Sequence, residues 1–272
     1  MLLYRYLKTH SYETLRDAEF MVSAPGKFND ILDCTAKVTS TPSKDALDKY
    51  YNQDKDWFDI GVDLGLDGAE LQEFLNYPNK APTPERYKEV LQHNLATHKT
   101  VDNVFRILCL CDAGTQPKTD LHMWKRYAGK CGVRIGLNVD PQSTEKQFVF
   151  KKVEYADAIP EIDLKANKEI STRFDYLKII STKTKKWALE REWRLCLLAK
   201  RCYTKDGLEF LGWDRRMLAS VDIGCGMSVA AQKGLFRMVR KRFPLNVEIK
   251  RMVPDEKFSG ISYEDVPKSW RT

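Results

Sequence analysis

A chain of 272 residues accommodates one large domain or two small ones, and 43% hydrophobic with 11% aromatic residues can bury a sizeable core, which excludes global disorder. No apolar run approaches the ~20 residues that cross a bilayer, and the start, Met1-Leu2-Leu3-Tyr4-Arg5-Tyr6, lacks the basic, apolar and small-residue zones of a signal peptide, so a cytoplasmic protein with no membrane partner is expected. The formal charge of +7 suits an anionic partner, nucleic acid or a phosphate-rich small molecule, although spread along the chain it equally describes a solvated surface.

Along the chain, Leu2 to Leu7 alternates and predicts a first strand. Ser11 is placed to cap a short helix through about Ala18. Glu19 to Ser23 predicts a second strand, running into the turn Ala24-Pro25-Gly26-Lys27-Phe28-Asn29-Asp30. From about 40 to 100 the composition changes. Polar stretches separate helical patterns, notably Pro84 to His98, and the segment reads as a helical insertion or lid within one domain spanning 1–272, since no flexible linker brackets it. Strands are predicted at Val104–Cys111, Cys131–Val139 and Gln147–Tyr155, then a helix over roughly Ile162–Ile180. Strands at Glu192–Ala199 and Leu218–Ile223 follow, then a helix at Met227–Phe243 and a closing strand at Leu245–Met252. Without a steady βαβ rhythm, the order favours an α+β fold over a doubly wound one.

Seven scattered cysteines, several inside apolar runs such as Cys109 and Cys111, read as buried thiols. No C-x2-C pair is present, so no metal is expected.

Four segments carry groups suited to chemistry. In Trp187-Ala188-Leu189-Glu190-Arg191-Glu192-Trp193-Arg194, strand alternation puts Glu190 and Glu192 on one face. There they can stabilise a developing cation and polarise a hydroxyl, or simply pair with Arg191 and Arg194. In His122-Met123-Trp124-Lys125-Arg126-Tyr127, Trp124 and Tyr127 at i and i+3 form an aromatic ledge for a planar ring, or core packing. The Ser23–Asp30 turn can hold polar groups over a pocket, and Arg5 between Tyr4 and Tyr6 can bind a phosphate or carboxylate. Gly224-Cys225-Gly226, between a strand and a helix, is a weak anion-site signal.

These segments resemble the bacterial family catalogued as domain of unknown function 2971. The residues that carry the resemblance are Leu3-Tyr4-Arg5-Tyr6, Val22-Ser23-Ala24-Pro25 with Phe28-Asn29-Asp30, Met123-Trp124-Lys125-Arg126-Tyr127-Ala128, Gly132 to Leu137, Lys152-Val153-Glu154-Tyr155, Trp187 to Leu195 and Ile223 to Gly226. The family's proline after Asn-Asp is Ile31 here. The order of Arg5, Ser23, an aromatic helix and an E-x-E strand is also similar to that of ADP-ribosyltransferases. That second resemblance implies a split β-sheet core with flanking helices, NAD as co-substrate, and transfer to a macromolecule, RNA or DNA among the candidates, in a toxin or phage-defence setting with an antitoxin as possible partner. It implies Glu192 as the catalytic carboxylate on the ribose 2′-hydroxyl, Glu190 orienting or deprotonating the acceptor, and Tyr4, Arg5, Ser23, Asn29, Trp124, Tyr127 and Arg194 around the cofactor. The alternative expectation is a non-catalytic module that binds nucleic acid or protein.

Overall fold

The computed structural model describes residues 1–9, 13–51, 83–113, 117–140, 148–165, 176–255 and 260–270. In chain order the strands begin with β1 (Leu2–Leu7), β2 (Glu19–Val22), β3 (Lys37–Val38), β4 (Phe105–Cys111) and β5 (Val133–Asn138). They continue through β6 (Phe148–Lys152), β7 (Glu154–Ala156), β8 (Glu161–Ile162), β9 (Thr182–Thr184) and β10 (Glu192–Leu198). The last are β11 (Tyr203–Lys205), β12 (Leu208–Gly212), β13 (Leu218–Ile223), β14 (Glu248–Pro254) and β15 (Ile261–Asp265). The α-helices are α1 (Glu13–Asp17), α2 (Lys44–Tyr51), α3 (Pro84–Ala96), α4 (Lys99–Val104), α5 (Pro117–Met123), α6 (Tyr176–Ile180) and α7 (Val229–Arg242).

Among the described residues, eight strands form one mixed sheet in the order β15-β14-β13-β5-β1-β4-β10-β6, antiparallel except for the parallel pair β13/β14. One sheet face is apolar. Leu3, Leu110, Ile135, Leu195 and Val221 alternate inward there and pack with Leu235, Phe236 and Val239 of α7. Helix α7 starts where the Ser228 side chain accepts from Ala231 N at 3.3 Å, and its last turn carries Arg240, Lys241 and Arg242 against the negative end of the dipole. The opposite face carries the polar and aromatic residues Tyr4, Tyr6, Arg134, Glu192 and Arg194. There Arg134 pairs with Asp222 at 2.9 Å and with Asp120 at 3.0 Å, and Tyr263 donates to Asp120 at 2.6 Å, tying α5, β5, β13 and β15 together.

The sheet parts between β1 and β4. A single register pair, Tyr4 with Cys111, joins them, whereas β4 runs on β10 over seven pairs. The divergence opens the space in which the site lies. The described helices of the 40–100 segment form a separate small core, with Leu47, Tyr87, Leu91 and Leu95 packed on Val38 and Ile162 of the two-stranded pair β3/β8. Residues 52–82 of that predicted insertion lie outside the described residues, as does Ser11.

Several elements differ from the sequence expectation. Ile162 begins no helix: it pairs with Val38 in β8, and the described helix covers Tyr176–Ile180 alone. The strand expected over Gln147–Tyr155 breaks at Val153, whose N–H turns to the Glu192 carbonyl at 2.9 Å, and β7 then pairs in parallel with β9. Leu245–Met252 does not close the sheet, because β15 adds a further edge. A hairpin, β11/β12, turns through Asp206 and Gly207, both at positive φ (52° and 73°). These dihedral signs define the type I′ turn that Asp-Gly specifies.

Candidate functional site

The parted strands, the β2–turn segment, the end of α5 and the entry to β10 enclose a cavity of about 320 Å³. Tyr4, Arg5, Ser23, Asn29, Tyr127, Glu190, Glu192 and Arg194 all line it, so segments far apart in sequence converge there. Phe28, Met123 and Cys109 complete part of the wall.

Glu190 and Glu192 meet for a reason other than strand alternation. Glu190 ends a 3₁₀ turn over Lys185–Glu190, and Arg191 then takes a left-handed conformation (φ 43°, ψ 49°) that redirects the chain into β10. A non-glycine residue in that region is strained, and here it is clamped. The Arg191 side chain donates to the Asp112 carbonyl and carboxylate, both at 2.9 Å, and the Asp112 N–H returns to the Arg191 carbonyl at 3.0 Å. The kink aims both carboxylates at one ammonium: Lys183 Nζ lies 2.7 Å from Glu190 and 2.9 Å from Glu192.

The cluster is dry. Arg194 is fully buried, and its guanidinium donates to Glu192 at 2.8 Å, in fork geometry to Asp33 at 2.9 and 2.7 Å, and to the Ile180 carbonyl at 2.7 Å. Phe28 covers it, its ring centroid 5.1 Å away. Glu192 is 4% exposed, and its backbone N–H is taken up by the Tyr155 hydroxyl oxygen at 2.8 Å. Burial alone would raise the Glu192 pKa, but Arg194 and Lys183 outweigh it and hold the carboxyl at about 2. Burial likewise disfavours the charged forms of Lys183 and Arg194, and the carboxylates reverse this and raise both. Three carboxylates (Asp33, Glu190, Glu192) face Lys183 and Arg194, and the exposed Arg126 stands 3.8 Å from Glu190, so the formal charges of the cluster balance.

The other expected residues divide. Tyr127 lines the cavity and donates its hydroxyl to Glu190. Trp124 does not share that wall. The segment Trp124–Ala128 is a π-turn, with more than four residues per turn, so positions i and i+3 diverge from the single face that α-helical spacing gives. Trp124 is buried against Tyr6 and donates to Tyr263 at 2.7 Å, beside a different cavity. Arg194 supports the carboxylates and has no exposed surface to offer a cofactor. Arg5 donates to the carbonyls of Cys109 (3.2 Å) and Met21 (3.0 Å), and desolvation lowers its pKa to about 10, so its guanidinium serves the parted strands rather than an open phosphate site. Asn29 lies at the rim, while its neighbour Asp30 is buried and receives the Trp187 indole N–H, joining the Phe28-Asn29-Asp30 turn to the Trp187–Leu195 segment.

Gly224 and Gly226 serve close packing. Their N–H groups donate to the Gly132 and Lys130 carbonyls at 2.9 and 2.8 Å, and a Cβ at 224 would meet the Lys130 carbonyl at 2.3 Å. Sequence reasoning did not single out Lys183 or Asp33. Lys183 sits in Thr182-Lys183-Thr184-Lys185-Lys186, which reads as a solvated charge run, and only the pairing of β9 with β7 turns it inward.

Residues 123–195 match the family model described as Protein of unknown function (DUF2971), which bears out the family resemblance. The matched segment holds Tyr127, Lys183, Glu190, Glu192 and Arg194 of the cavity, while Tyr4, Arg5, Ser23 and Asn29 come from outside it. No curated protein and no solved structure matches the chain.

Proposed function

We propose that the cavity cleaves the nicotinamide–ribose bond of NAD⁺ and passes the ADP-ribosyl group to a macromolecular acceptor, in a toxin or phage-defence setting. The observation that carries this reading is the pair of carboxylates, Glu190 and Glu192, brought together at the cavity wall, with Glu192 held ionised by its low pKa. Cleavage of the C1′–N bond sends its electron pair to nicotinamide and leaves positive charge on the ribose carbon, which a fixed anion in a water-poor site stabilises as it forms. The acceptor's lone pair then bonds to C1′, and a proton on the attacking atom, where there is one, passes to solvent. A volume of about 320 Å³ takes the nicotinamide–ribose half of the dinucleotide and leaves the remainder outside. Phe28, Tyr4 and Tyr127 supply aromatic wall for the ring.

The pairing of Glu192 with Lys183 and Arg194 favours a second reading, a binding module whose carboxylates only fasten β9 to β10. Glu192→Gln separates the two. The amide keeps the volume and leaves Asp33 and Glu190 to pair with Arg194, Lys183 and Arg126, and circular dichroism of the purified variant checks that it is folded. Release of nicotinamide from NAD⁺ in the presence of cell extract should fall about 100-fold or more. Undiminished release by the variant, or none by the wild type in any extract, removes the transferase and leaves the binding module.

A further inference from the structure

On the other side of Tyr127 lies a second, shallower hollow of about 360 Å³, lined by Lys8 and Thr9 after β1, by the π-turn with Lys125 and Arg126, and by the turn Gly129–Cys131. Four of its nine lining residues are basic (Lys8, Lys125, Arg126, Lys130) and none is acidic. All four are exposed, and Lys8 and Lys125 have no ion-pair partner among the described residues. The two hollows adjoin at one residue. Tyr127 lines both, and Arg126 reaches from the basic side to within 3.8 Å of Glu190 while its guanidinium stacks 4.2 Å from the Trp187 ring centroid.

We infer that this groove is the track for the phosphodiester backbone of a single-stranded nucleic acid, which it delivers to the carboxylate cavity. As an acceptor site the inference rests on the transferase reading; as a binding site it does not. Lysine ammoniums are point charges on flexible stems and neutralise successive phosphates without reading sequence. An open hollow is poorly suited to enclosing a small ligand, most of whose surface a pocket normally buries, whereas a continuous chain needs only a positive floor and an aromatic step. Tyr127 provides that step, with its ring at the junction and its hydroxyl on Glu190. A base stacked there is presented to the cavity while its flanking phosphates lie over Lys8, Lys125 and Lys130.

The test uses the full chain and a fluorescein-labelled 12-nucleotide oligothymidylate or oligouridylate, read by anisotropy over a salt series. The wild type is expected to bind with log affinity falling linearly in log salt. The triple variant Lys8→Gln, Lys125→Gln, Lys130→Gln should bind at least ten-fold more weakly, with its slope reduced by about 2, since each phosphate left without its lysine removes about 0.7. The pair Arg237→Gln, Lys241→Gln on α7 should bind like the wild type. Absence of oligonucleotide binding, or a triple variant indistinguishable from the wild type, overturns the inference. So does a triple variant whose only defect is a raised KM for NAD⁺ with oligonucleotide binding intact, because the groove then serves the dinucleotide's own phosphates. Oligonucleotide binding abolished in the triple variant supports the groove even if the wild type never releases nicotinamide. Nicotinamide release without oligonucleotide binding supports the transferase and rejects the groove.

Discussion

Replacing Lys183 by methionine tests whether the carboxylate cluster is the dry, coupled unit the geometry describes. The ammonium sits within 2.9 Å of two glutamates and 3.7 Å of Asp33, and all four side chains are almost wholly buried. Methionine keeps the volume but leaves three carboxylates facing Arg194 and, at 3.8 Å from Glu190, the exposed Arg126. Removing one partner of a buried ion pair costs about 3–5 kcal/mol, which at about 2–4 °C per kcal/mol for a chain of this size lowers Tm by roughly 10 °C. The loss should be smaller in the double variant Lys183→Met, Glu192→Gln, which removes one of the stranded charges; the recovery is the coupling between the two sites. The pH dependence has a definite sign. In the wild type Glu192 is held at about 2, below its ordinary 4.5, so its contribution, about 3 kcal/mol, is complete above 4.5 and is lost as pH falls from 4.5 towards 2. Without Lys183 the carboxyl takes up its proton at higher pH, so the deficit of the variant shrinks on acidification. Thermal unfolding by circular dichroism at pH 7 and pH 4 measures both effects. A single variant within 1 kcal/mol of the wild type, or no recovery in the double variant, would refute the coupled cluster.

Gly224→Ala should cost about 1–3 kcal/mol in chemical denaturation, because its Cβ meets a backbone carbonyl at 2.3 Å that cannot swing away, while Gly212→Ala, with open space around it, should change stability by less than about 1 kcal/mol. Tyr263→Phe leaves Asp120 one donor short and the Trp124 N–H without its acceptor, and should cost about 1–3 kcal/mol by the same measurement. Under native conditions a thiol reagent should label Cys131 and Cys225 fast and the buried Cys34, Cys111 and Cys196 only on unfolding; fast labelling of a third group among these would place a buried strand at the surface.

The central strands of the large sheet were legible because their side chains alternate against one apolar core. β1, β4, β5, β10 and β13 fall within a residue or two of their predicted bounds, and α7 shows both its apolar stripe and its basic last turn. Arg134 and Asp222 stand as single charges inside apolar strands, and only the register that sets them opposite one another makes them a pair, which the sequence does not display. The Asp206-Gly207 hairpin had a direct signal, two residues that accept positive φ, which the polar run before it obscured. What sequence could not supply was the inward turn of Lys183, whose neighbours are all polar, and the bend at Arg191, where a left-handed residue outside the usual glycine or asparagine choice is held by Asp112 rather than by its own preference. Trp124 and Tyr127 failed as a pair for a related reason: a helix pattern gives no sign of the extra residue that makes a π-turn.

The low Glu192 pKa restricts the chemistry on the transferase reading. A carboxylate held at about 2 can accept a hydrogen bond from a ribose hydroxyl and face a developing cation throughout the physiological range, but it is a poor proton acceptor there, since an effective base needs a pKa near the working pH. Glu190 accepts from Tyr127 and Lys183 as Glu192 does from Arg194 and Lys183, one lone pair on each oxygen remaining for a further donor. An acceptor that must be deprotonated before it attacks, such as an aliphatic hydroxyl, therefore finds no ready base at this wall. A ring nitrogen of a nucleobase carries its lone pair without one. The same electrostatics that make the cluster a stabiliser of positive charge thus favour an acceptor already nucleophilic when neutral, and Tyr127, between the cavity and the basic groove, is where such a ring would be stacked.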